Sequence, residues 1–540
     1  MKNILKIILI LILFSGCKKD NKKDALTSKS QTDNSIFLNE DAIDLYFKSN
    51  LENQNIIKEV RLFYKNRNLK LAWFTKKGLS QAVPNFQNQL NNYSSDFNDK
   101  TLNIAQLDTL ITVMKTNKNG LDIDAKQREN LELKLTTTFF KYSERAYSGS
   151  IKNVRKLDWF IPKTKKNYQI LLDSLVLKDA NDATHEPVNL YYTKLKGKLS
   201  LYREIQKKGG FPFIKTEQEF LTKTESDPVL IQVKKRLFLT GDLKINDNSV
   251  LYTMELANAI SNFQQRVGLP ENGKLNFKTI SELNKTVDFR IRQILINLER
   301  LRWIPIEIEN DYLLVNIPEF KLHVFENKKL IWEANVVVGK EGRQTTIFKG
   351  NISKIVLNPY WNIPRSIIID EILPKVKRNA NYLRSNNMEV VSGTKVINPS
   401  SINWQKYSKS FPFDMRQKPG NDNSLGKMKF LFPNSFSIYL HDTPAKELFN
   451  RNKRDFSHGC IRVENPKKLA LYLLRNNANW NQNKIDNILT TIEETNIEVK
   501  PTIPVYITYF TAWVDSKGNL NFRNDIYDLD DDLAKEIFED

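Results

Sequence analysis

The chain has 540 residues, of which 40% are hydrophobic, 11% aromatic and 27% charged. Its 18 glycines and 19 prolines are too few for a collagen-like or low-complexity protein. The length is well beyond the roughly 250–300 residues at which one core stops growing, so we expect about three or four domains. A formal net charge of +20 favours anionic partners such as nucleic acid, lipid headgroups or acidic polymers, and is equally consistent with solubility alone.

The N-terminus has the layout of a secretory signal. Two lysines lie within Met1–Lys6, and eight uninterrupted apolar residues follow at Ile7–Phe14. Eight helical residues rise only about 12 Å, too short to span a bilayer core of roughly 30 Å. The segment ends in Ser-Gly-Cys17, which resembles a bacterial lipobox and implies cleavage before Cys17 and lipidation of that residue. We therefore predict a signal peptide over 1–16 and a lipidated, flexible tether over 17–35; the alternative is an ordinary signal peptide with a chance cysteine.

Residues 36–225 are predicted to form a mainly helical domain. Ile56–Phe63 and Leu131–Tyr147 have apolar residues at helical spacing, and polar stretches separate such segments. This region has no catalytic pattern, and His185 lies in a loop-like setting where we expect it to be exposed.

A second helical module is predicted over 226–286. Leu256, Ile260, Phe263 and Val267 form one apolar face of a helix, and Gly268 is placed to end it. A second helix follows from about Phe277. The segment resembles the peptidoglycan-binding type 1 module, which implies wall binding; the alternative is a helical spacer that binds nothing.

The C-terminal half contains the chemistry-bearing pattern. Apart from Cys17, Cys460 is the only cysteine, so lipidation of Cys17 would leave a single thiol in an oxidising compartment. It lies in Ser457-His458-Gly459-Cys460, and His441 ends a predicted strand 19 residues upstream. A neighbouring His that accepts the thiol proton, or a charged His that stabilises the thiolate, activates such a cysteine for acyl transfer through a thioester.

Two other interpretations of Cys460 are a buried structural cysteine and a zinc ligand. A buried structural Cys is common, but polar residues and a glycine around Cys460 favour a presented side chain. His441, Asp442, His458 and Cys460 could ligate zinc, yet the closely spaced ligand pairs typical of zinc sites are absent, so we predict no metal and no cofactor.

The two blocks Tyr439-Leu440-His441-Asp442-Thr443 and Ser457-His458-Gly459-Cys460-Ile461-Arg462 resemble the signature of the YkuD-domain L,D-transpeptidases. Further segments from Tyr312 to Tyr509 resemble the large YcbB-type branch of that family. The resemblance implies a catalytic domain over 310–515 with a capping insertion over 367–415. Residues 516–540 are then a C-terminal extension.

The resemblance also implies catalytic roles. Cys460 would be the nucleophile and His441 its general base, oriented by the backbone carbonyl of Asp442. Backbone N–H groups near Gly459 and Cys460, with the Tyr439 hydroxyl, would hold the oxyanion.

Three further residues are expected to contact substrate: Ser457, His458 and Arg462. Two of them have open alternatives. His458 shares a strand face with Cys460 by spacing alone and could serve as the base. Arg462 could instead form a structural ion pair.

The sequence therefore predicts a multidomain α+β protein: a mainly helical scaffold and helical wall-binding module, then a β-rich catalytic domain with a capping insertion. The implied function is formation of 3→3 peptidoglycan cross-links with release of D-alanine. The implied partners are donor and acceptor stem peptides and, through Cys17, a membrane; no nucleic-acid motif is present. We expect the protein in the cell envelope, facing the periplasm, at the outer membrane.

Two alternatives remain open at this point. The same Cys–His site would serve an L,D-carboxypeptidase or an enzyme that attaches proteins to the wall or releases them. A non-catalytic, wall-binding lipoprotein is the second alternative.

Overall fold

The structure is a computed structural model that describes residues 36–97, 99, 101–116, 124–177, 186–220 and 225–538. The predicted signal peptide, the Cys17 tether and His185 lie outside these residues. Within these ranges, no helix combines the length and apolar character that crossing a membrane requires.

The N-terminal region is helical, as predicted, around a core of its own. At its centre, the buried carboxylate of Glu132 accepts hydrogen bonds from the backbone N–H groups of Ala72 and Trp73 and from the Tyr64 hydroxyl. The helix Ala125–Ser143 therefore holds the residues that lead into a small hairpin at Phe74. The elements are α1 (Ala42–Ser49), α2 (Gln54–Asn66), β1 (Phe74–Thr75), β2 (Gly78–Leu79), α3 (Ala82–Phe97), α4 (Ile104–Thr116), α5 (Ala125–Ser143), α6 (Tyr168–Leu177) and α7 (Leu190–Lys207).

The next three helices pack around a separate small core. They are α8 (Val229–Leu239), α9 (Met254–Arg266) and α10 (Phe277–Leu283). The predicted helix pair is confirmed: α9 begins after the N-cap Thr253, and Gly268 follows its end with φ +72°. Wall binding by this module stays a prediction.

Helix α11 (Val287–Arg302) links the helical part of the chain to the β-rich part and is buried along most of its length. Asn297 donates to the Thr511 hydroxyl and accepts from the Thr511 N–H. Arg300 forms an ion pair with Asp530. The C-terminal segment is thus packed into the same core as the catalytic half, rather than appended to it.

The remaining elements follow in chain order and include a second, smaller sheet. They are β3 (Tyr312–Asn316), β4 (Lys321–Glu326), β5 (Lys329–Gly339), β6 (Lys349–Leu357), β7 (Trp361–Asn362), α12 (Arg365–Ile367), α13 (Leu373–Arg378), α14 (Tyr382–Ser385), β8 (Met388–Ser392), β9 (Lys395–Ile397), β10 (Asp414–Gln417), β11 (Met428–Leu431), β12 (Leu440–His441), β13 (Asp455–Ser457), β14 (Ile461–Val463), α15 (Pro466–Leu473), α16 (Gln482–Leu489), β15 (Thr495–Thr508), β16 (Ala512–Val514), β17 (Leu520–Phe522) and α17 (Leu529–Phe538). Helices and strands together confirm the predicted multidomain α+β class.

Hydrogen bonding in the main sheet runs around a closed ring. The order is β5-β14-β12-β11-β6-β15-β3-β4, and β4 pairs again with β5. The β12–β14 and β15–β3 pairs are parallel, and the other pairs in the ring are antiparallel. Alternate residues such as Phe430, Leu440 and Ile461 fill the interior. Their neighbours in sequence therefore face outward.

The insertion between β6 and β11 forms a small domain with its own core. Its sheet has the order β7-β10-β8-β9, and its helices α12 and α13 are joined by a π-helical turn at Ile368–Ile372. The sheet begins at Trp361 and ends at Gln417, a little beyond the predicted 367–415. Strands β8 and β9 are short, and pairing within this small sheet stabilises them rather than local sequence pattern.

His323 in β4 is held as an imidazolium between two carboxylates, and we predict a pH-dependent contribution to stability. Its ring nitrogens lie 2.8 Å from Glu319 and 2.9 Å from Glu333. Burial opposes the charge, but the two glutamates outweigh it and raise the His323 pKa to about 9. Since this folded-state pKa exceeds the ordinary value of 6.5, the contribution is complete below pH 6.5 and is lost as pH rises through 9.

The expected loss is about 3 kcal/mol in the free energy of unfolding. Urea unfolding at pH 6 and pH 10 measures it, with His323→Gln as the reference. The difference between wild type and His323→Gln should shrink by that amount at the higher pH. A difference that does not change with pH would contradict the assignment.

Candidate active site

Cys460 lies in a tight turn between β13 and β14 whose shape depends on a glycine. Gly459 has φ +110°, a conformation that residues with a Cβ rarely adopt. Its carbonyl accepts a hydrogen bond from the Thr345 hydroxyl at 2.8 Å. The Ser457 hydroxyl accepts from the Gly459 N–H at 3.1 Å and donates to the Cys460 carbonyl at 2.6 Å.

Ser457 was expected to contact substrate, and the structure gives its hydroxyl a different use. The residue is 2% exposed, and both of its hydrogen bonds are made within the turn. A buried hydroxyl that is already paired in this way shapes the backbone around the thiol. The sequence could not show this role, because only the folded turn brings the two backbone partners to the Ser457 hydroxyl.

His441 ends strand β12, beside the strand that follows Cys460. Its Nδ1 lies 2.5 Å from the Asp442 carbonyl oxygen. A carbonyl can only accept, so in the neutral ring Nδ1 carries the proton and Nε2 carries the lone pair. Burial, with the nearby cations of Arg462 and Lys429, lowers the His441 pKa to about 3. The imidazole is therefore neutral at physiological pH and is in the tautomer that a general base requires.

The carbonyl that orients His441 is itself fixed by the surrounding backbone. The Asp442 carboxylate accepts from the N–H groups of Lys427, at 2.8 Å, and Thr443, at 2.7 Å. It also forms an ion pair with Lys446. Gly426 has φ +59°, and a Cβ there would lie 2.4 Å from Asp442 Cγ. Gly426 is thus a functional position that the sequence analysis missed, since its contact with Asp442 comes from tertiary packing.

The thiol and the imidazole are both neutral at rest. Burial raises the pKa of Cys460 above its usual value, while Tyr439 and the cations of Lys429 and Arg462 only partly oppose that effect. The thiol lies 3.6 Å from the Ser437 carbonyl oxygen, its hydrogen-bond acceptor. Of the two activation routes left open by the sequence, this geometry favours proton transfer to a neutral His over a resting thiolate–imidazolium pair.

Two donors remain free to face a developing oxyanion. The Gly459 N–H is occupied by Ser457, whereas the Cys460 N–H has no acceptor among the described residues. The Tyr439 hydroxyl lies within hydrogen-bonding reach of the thiol, and burial raises the pKa of Tyr439 so that it stays protonated. The predicted oxyanion group is therefore reduced to the Cys460 N–H and the Tyr439 hydroxyl.

Arg462 and His458 are placed differently from each other. Arg462 is half-buried beside His441 in the β12–β14 register and forms no ion pair within the described ranges. Its Nε is buried without a hydrogen-bond partner among the described residues, and a substrate role for Arg462 stays a prediction. His458 is exposed, and its Nε2 lies 2.7 Å from Glu371 of the insertion. The base role therefore fits His441, and His458 joins the turn to the insertion.

Lys429 is a site residue that the sequence analysis missed. In the β11–β12 pairing it lies directly opposite His441. Its Nζ lies 3.9 Å from the centroid of the Tyr439 ring. Alternation along β11 could have predicted that Lys429 lies on the outer face. Only the strand register brings it beside the catalytic pair.

The loop that supports Gly459 is braced from the C-terminal segment. The Tyr527 hydroxyl donates to the Gly339 carbonyl and accepts from the Thr345 N–H at 3.3 Å. Thr345 in turn contacts both Gly339 and Gly459.

Within the described part of the chain, no group of three or more His, Cys, Asp or Glu residues is arranged to hold a metal ion.

Two segments of the chain match known protein families. Residues 310–499 match the YkuD model, the L,D-transpeptidase catalytic domain, and residues 58–199 match the Scaffold domain. The chain therefore carries a YkuD L,D-transpeptidase catalytic domain together with a Scaffold domain.

A relative in Haemophilus influenzae, whose name assigns it provisionally to the L,D-transpeptidases, is 38% identical over 240 residues. The match covers 44% of this chain and 48% of that protein, so the chain matches about half the length of this relative.

Two solved structures also align with the chain. An L,D-transpeptidase from Stackebrandtia nassauensis aligns at 12% identity over 54% of this chain and 97% of its own, with a TM-score of 0.21. An L,D-transpeptidase from Xylanimonas cellulosilytica aligns at 12% identity over 54% of this chain and 100% of its own, with a TM-score of 0.17. Scores this low add nothing to the assignment.

Proposed function

We propose that the protein is a peptidoglycan L,D-transpeptidase that forms 3→3 cross-links through a thioester on Cys460. The observation that carries this proposal is the neutral His441 ring, anchored through Nδ1 on the Asp442 carbonyl, on the strand next to Cys460. A neutral thiol beside an oriented neutral base suits attack on an amide carbonyl.

The proposed reaction has two halves. In the first, the Cys460 sulfur attacks the carbonyl of the third residue of a donor tetrapeptide stem while His441 Nε2 accepts the thiol proton. The Cys460 N–H and the Tyr439 hydroxyl stabilise the oxyanion. The intermediate collapses as His441 returns the proton to the departing amine, which releases D-alanine and leaves the thioester.

In the second half, the side-chain amine of an acceptor stem attacks the thioester carbonyl. His441 removes a proton from that amine, the new amide forms, and the Cys460 sulfur leaves and regains a proton. Water would compete with the amine at this step. The insertion contacts the catalytic turn through the Glu371–His458 pair. It also contacts the loop between β5 and β6 through the Asp370–Arg343 ion pair. An insertion held against these loops supports transfer over hydrolysis.

We also propose that the enzyme is anchored to a membrane and held against the wall. Lipidation at Cys17 would anchor the chain to the outer membrane, on the periplasmic face. The helical module over 226–286 would hold it against the wall. Its own core and its contact with the catalytic half through Arg266 and the Leu520 carbonyl are consistent with a fixed wall-binding arm.

The test is the product spectrum on purified wall fragments. Disaccharide tetrapeptides are incubated with wild type and with Cys460→Ala, and the products are resolved by mass spectrometry. The proposal predicts 3→3 dimers with free D-alanine in the wild type only. Tripeptides without dimers would establish the carboxypeptidase alternative. Identical products from Cys460→Ala, with wall retention lost on deletion of Val229–Asn284, would establish a non-catalytic wall-binding protein.

A further inference from the structure

A cavity of about 270 Å³ lies on the outer face of the strand ring, where that face meets the insertion. Strands β6, β11 and β15 form one wall, through residues that include Lys429 and Asn496. Tyr360, Asn362 and Arg416, from the start and end of the insertion, form the other. The cavity is thus an extension of the catalytic face rather than a separate site.

Lys429 stands at the boundary between this cavity and the thiol. Strand pairing sets His441, Lys429 and Val356 side by side on one face, at the usual inter-strand spacing of about 4.8 Å. The Lys429 ammonium contacts the Tyr439 ring, and the hydroxyl of that ring reaches Cys460. One tyrosine ring therefore separates the ammonium from the reacting sulfur.

Among the described residues, the Lys429 ammonium forms no ion pair. No carboxylate of the described residues lies within 4.0 Å of its Nζ. The nearest acidic group in the cavity, Glu494, accepts a hydrogen bond from the Tyr360 N–H at 2.8 Å. Arg416, the other cation, is bound to Glu389 at 2.6 Å and stacks on Tyr360. Burial lowers the Lys429 pKa, and the charges of Cys460 and Glu494 oppose that effect only in part.

We propose that Lys429 binds the terminal carboxylate of the residue that leaves the donor peptide, an inference that rests on the proposed function. A single leaving residue places its carboxylate about one residue length, roughly 3.6 Å, beyond the amide that is cleaved. The Lys429 ammonium contacts the ring whose hydroxyl reaches the sulfur, so it lies within one side chain of the reacting carbonyl. A charge-assisted bond there would hold the leaving residue in place and would select donors that end immediately after the attacked position.

The experiment compares a tetrapeptide donor with a free C-terminal carboxylate and the same donor as its C-terminal amide. The readout is kcat/KM for release of the terminal residue. Wild type should prefer the acid by about 10- to 100-fold, the range expected for one hydrogen bond to a charged group. Lys429→Met should bring the ratio close to one, and Lys429→Arg should restore most of it.

Lys349→Gln is the matched control. Lys349 also stacks on a tyrosine, with its Nζ 5.0 Å from the Tyr506 centroid, but it is paired with Glu309. Its substitution should leave the acid-to-amide ratio unchanged. A wild type without acid preference, or a Lys429→Met variant that retains it, would overturn the inference. An equal loss of kcat/KM on both donors in Lys429→Met, with slower alkylation of Cys460 by iodoacetamide, would also overturn the inference. Lys429 would then act on the thiol.

A second measurement separates this inference from the proposed function. D-Alanine at millimolar concentration should protect wild-type Cys460 from iodoacetamide, and D-alaninamide should not. The protection should disappear in Lys429→Met and persist in Lys349→Gln. If neither donor is turned over yet the protection follows this pattern, the proposed function fails and the carboxylate site stands. If D-alanine and its amide behave alike in the wild type, the carboxylate site is refuted.

Discussion

Cys460→Ser is expected to abolish acylation by a carbapenem, a reagent to which the family resemblance implies susceptibility. Serine keeps the size of the side chain but replaces a strongly nucleophilic sulfur with a hydroxyl that is a far weaker acid. The His441 imidazole, with a pKa lowered to about 3, is too weak a base to activate such a hydroxyl. Intact-mass measurement should show one adduct on the wild type, and the variant should acylate at least about 10³-fold more slowly.

Cys17 offers the matched control for this experiment, because it is the other cysteine of the chain. Cys17→Ser should form the adduct at the wild-type rate. Persistence of the adduct on Cys460→Ser would place the nucleophile elsewhere. The mechanism in which Cys460 carries the thioester would then have to be abandoned.

His441→Gln is expected to slow acylation by about 10³-fold, since it removes the proton acceptor while keeping a polar side chain of similar size. The wild-type rate should stay nearly constant as pH is lowered from 8 to 5. Its acid limb should appear only near pH 3, because protonation of Nε2 is what removes the base. Second-order acylation rates between about pH 3 and pH 9 measure both effects.

The second histidine of the motif provides the comparison. His458→Gln should cost much less than His441→Gln, because the His458 ring faces Glu371 rather than the thiol. An inflection between pH 6 and 7 would mean that an imidazole of ordinary pKa controls the rate. A larger loss in His458→Gln than in His441→Gln would transfer the base role to His458.

The sequence alone determined the features that depend on neighbours along the chain. The apolar spacing over Leu256–Val267 predicted helix α9, because one helical face repeats every three to four residues. The order and spacing of His441 and Cys460 predicted a Cys–His pair, since both lie in short blocks whose residue types suit that chemistry. The α+β class came from helical spacing in the N-terminal half together with the resemblance of the C-terminal half to a known family.

Only the tertiary structure decided the surroundings of that pair. Lys429 reaches His441 because β11 pairs with β12 in one particular register, and alternation along a strand gives a face but no register. The Ser457 hydroxyl was assigned to substrate, yet the Gly459 turn buries it. The neutral state of Cys460 and His441 likewise comes from burial and from cations on neighbouring strands. Burial and charge proximity are properties of chain segments packed together, and no local pattern contains them.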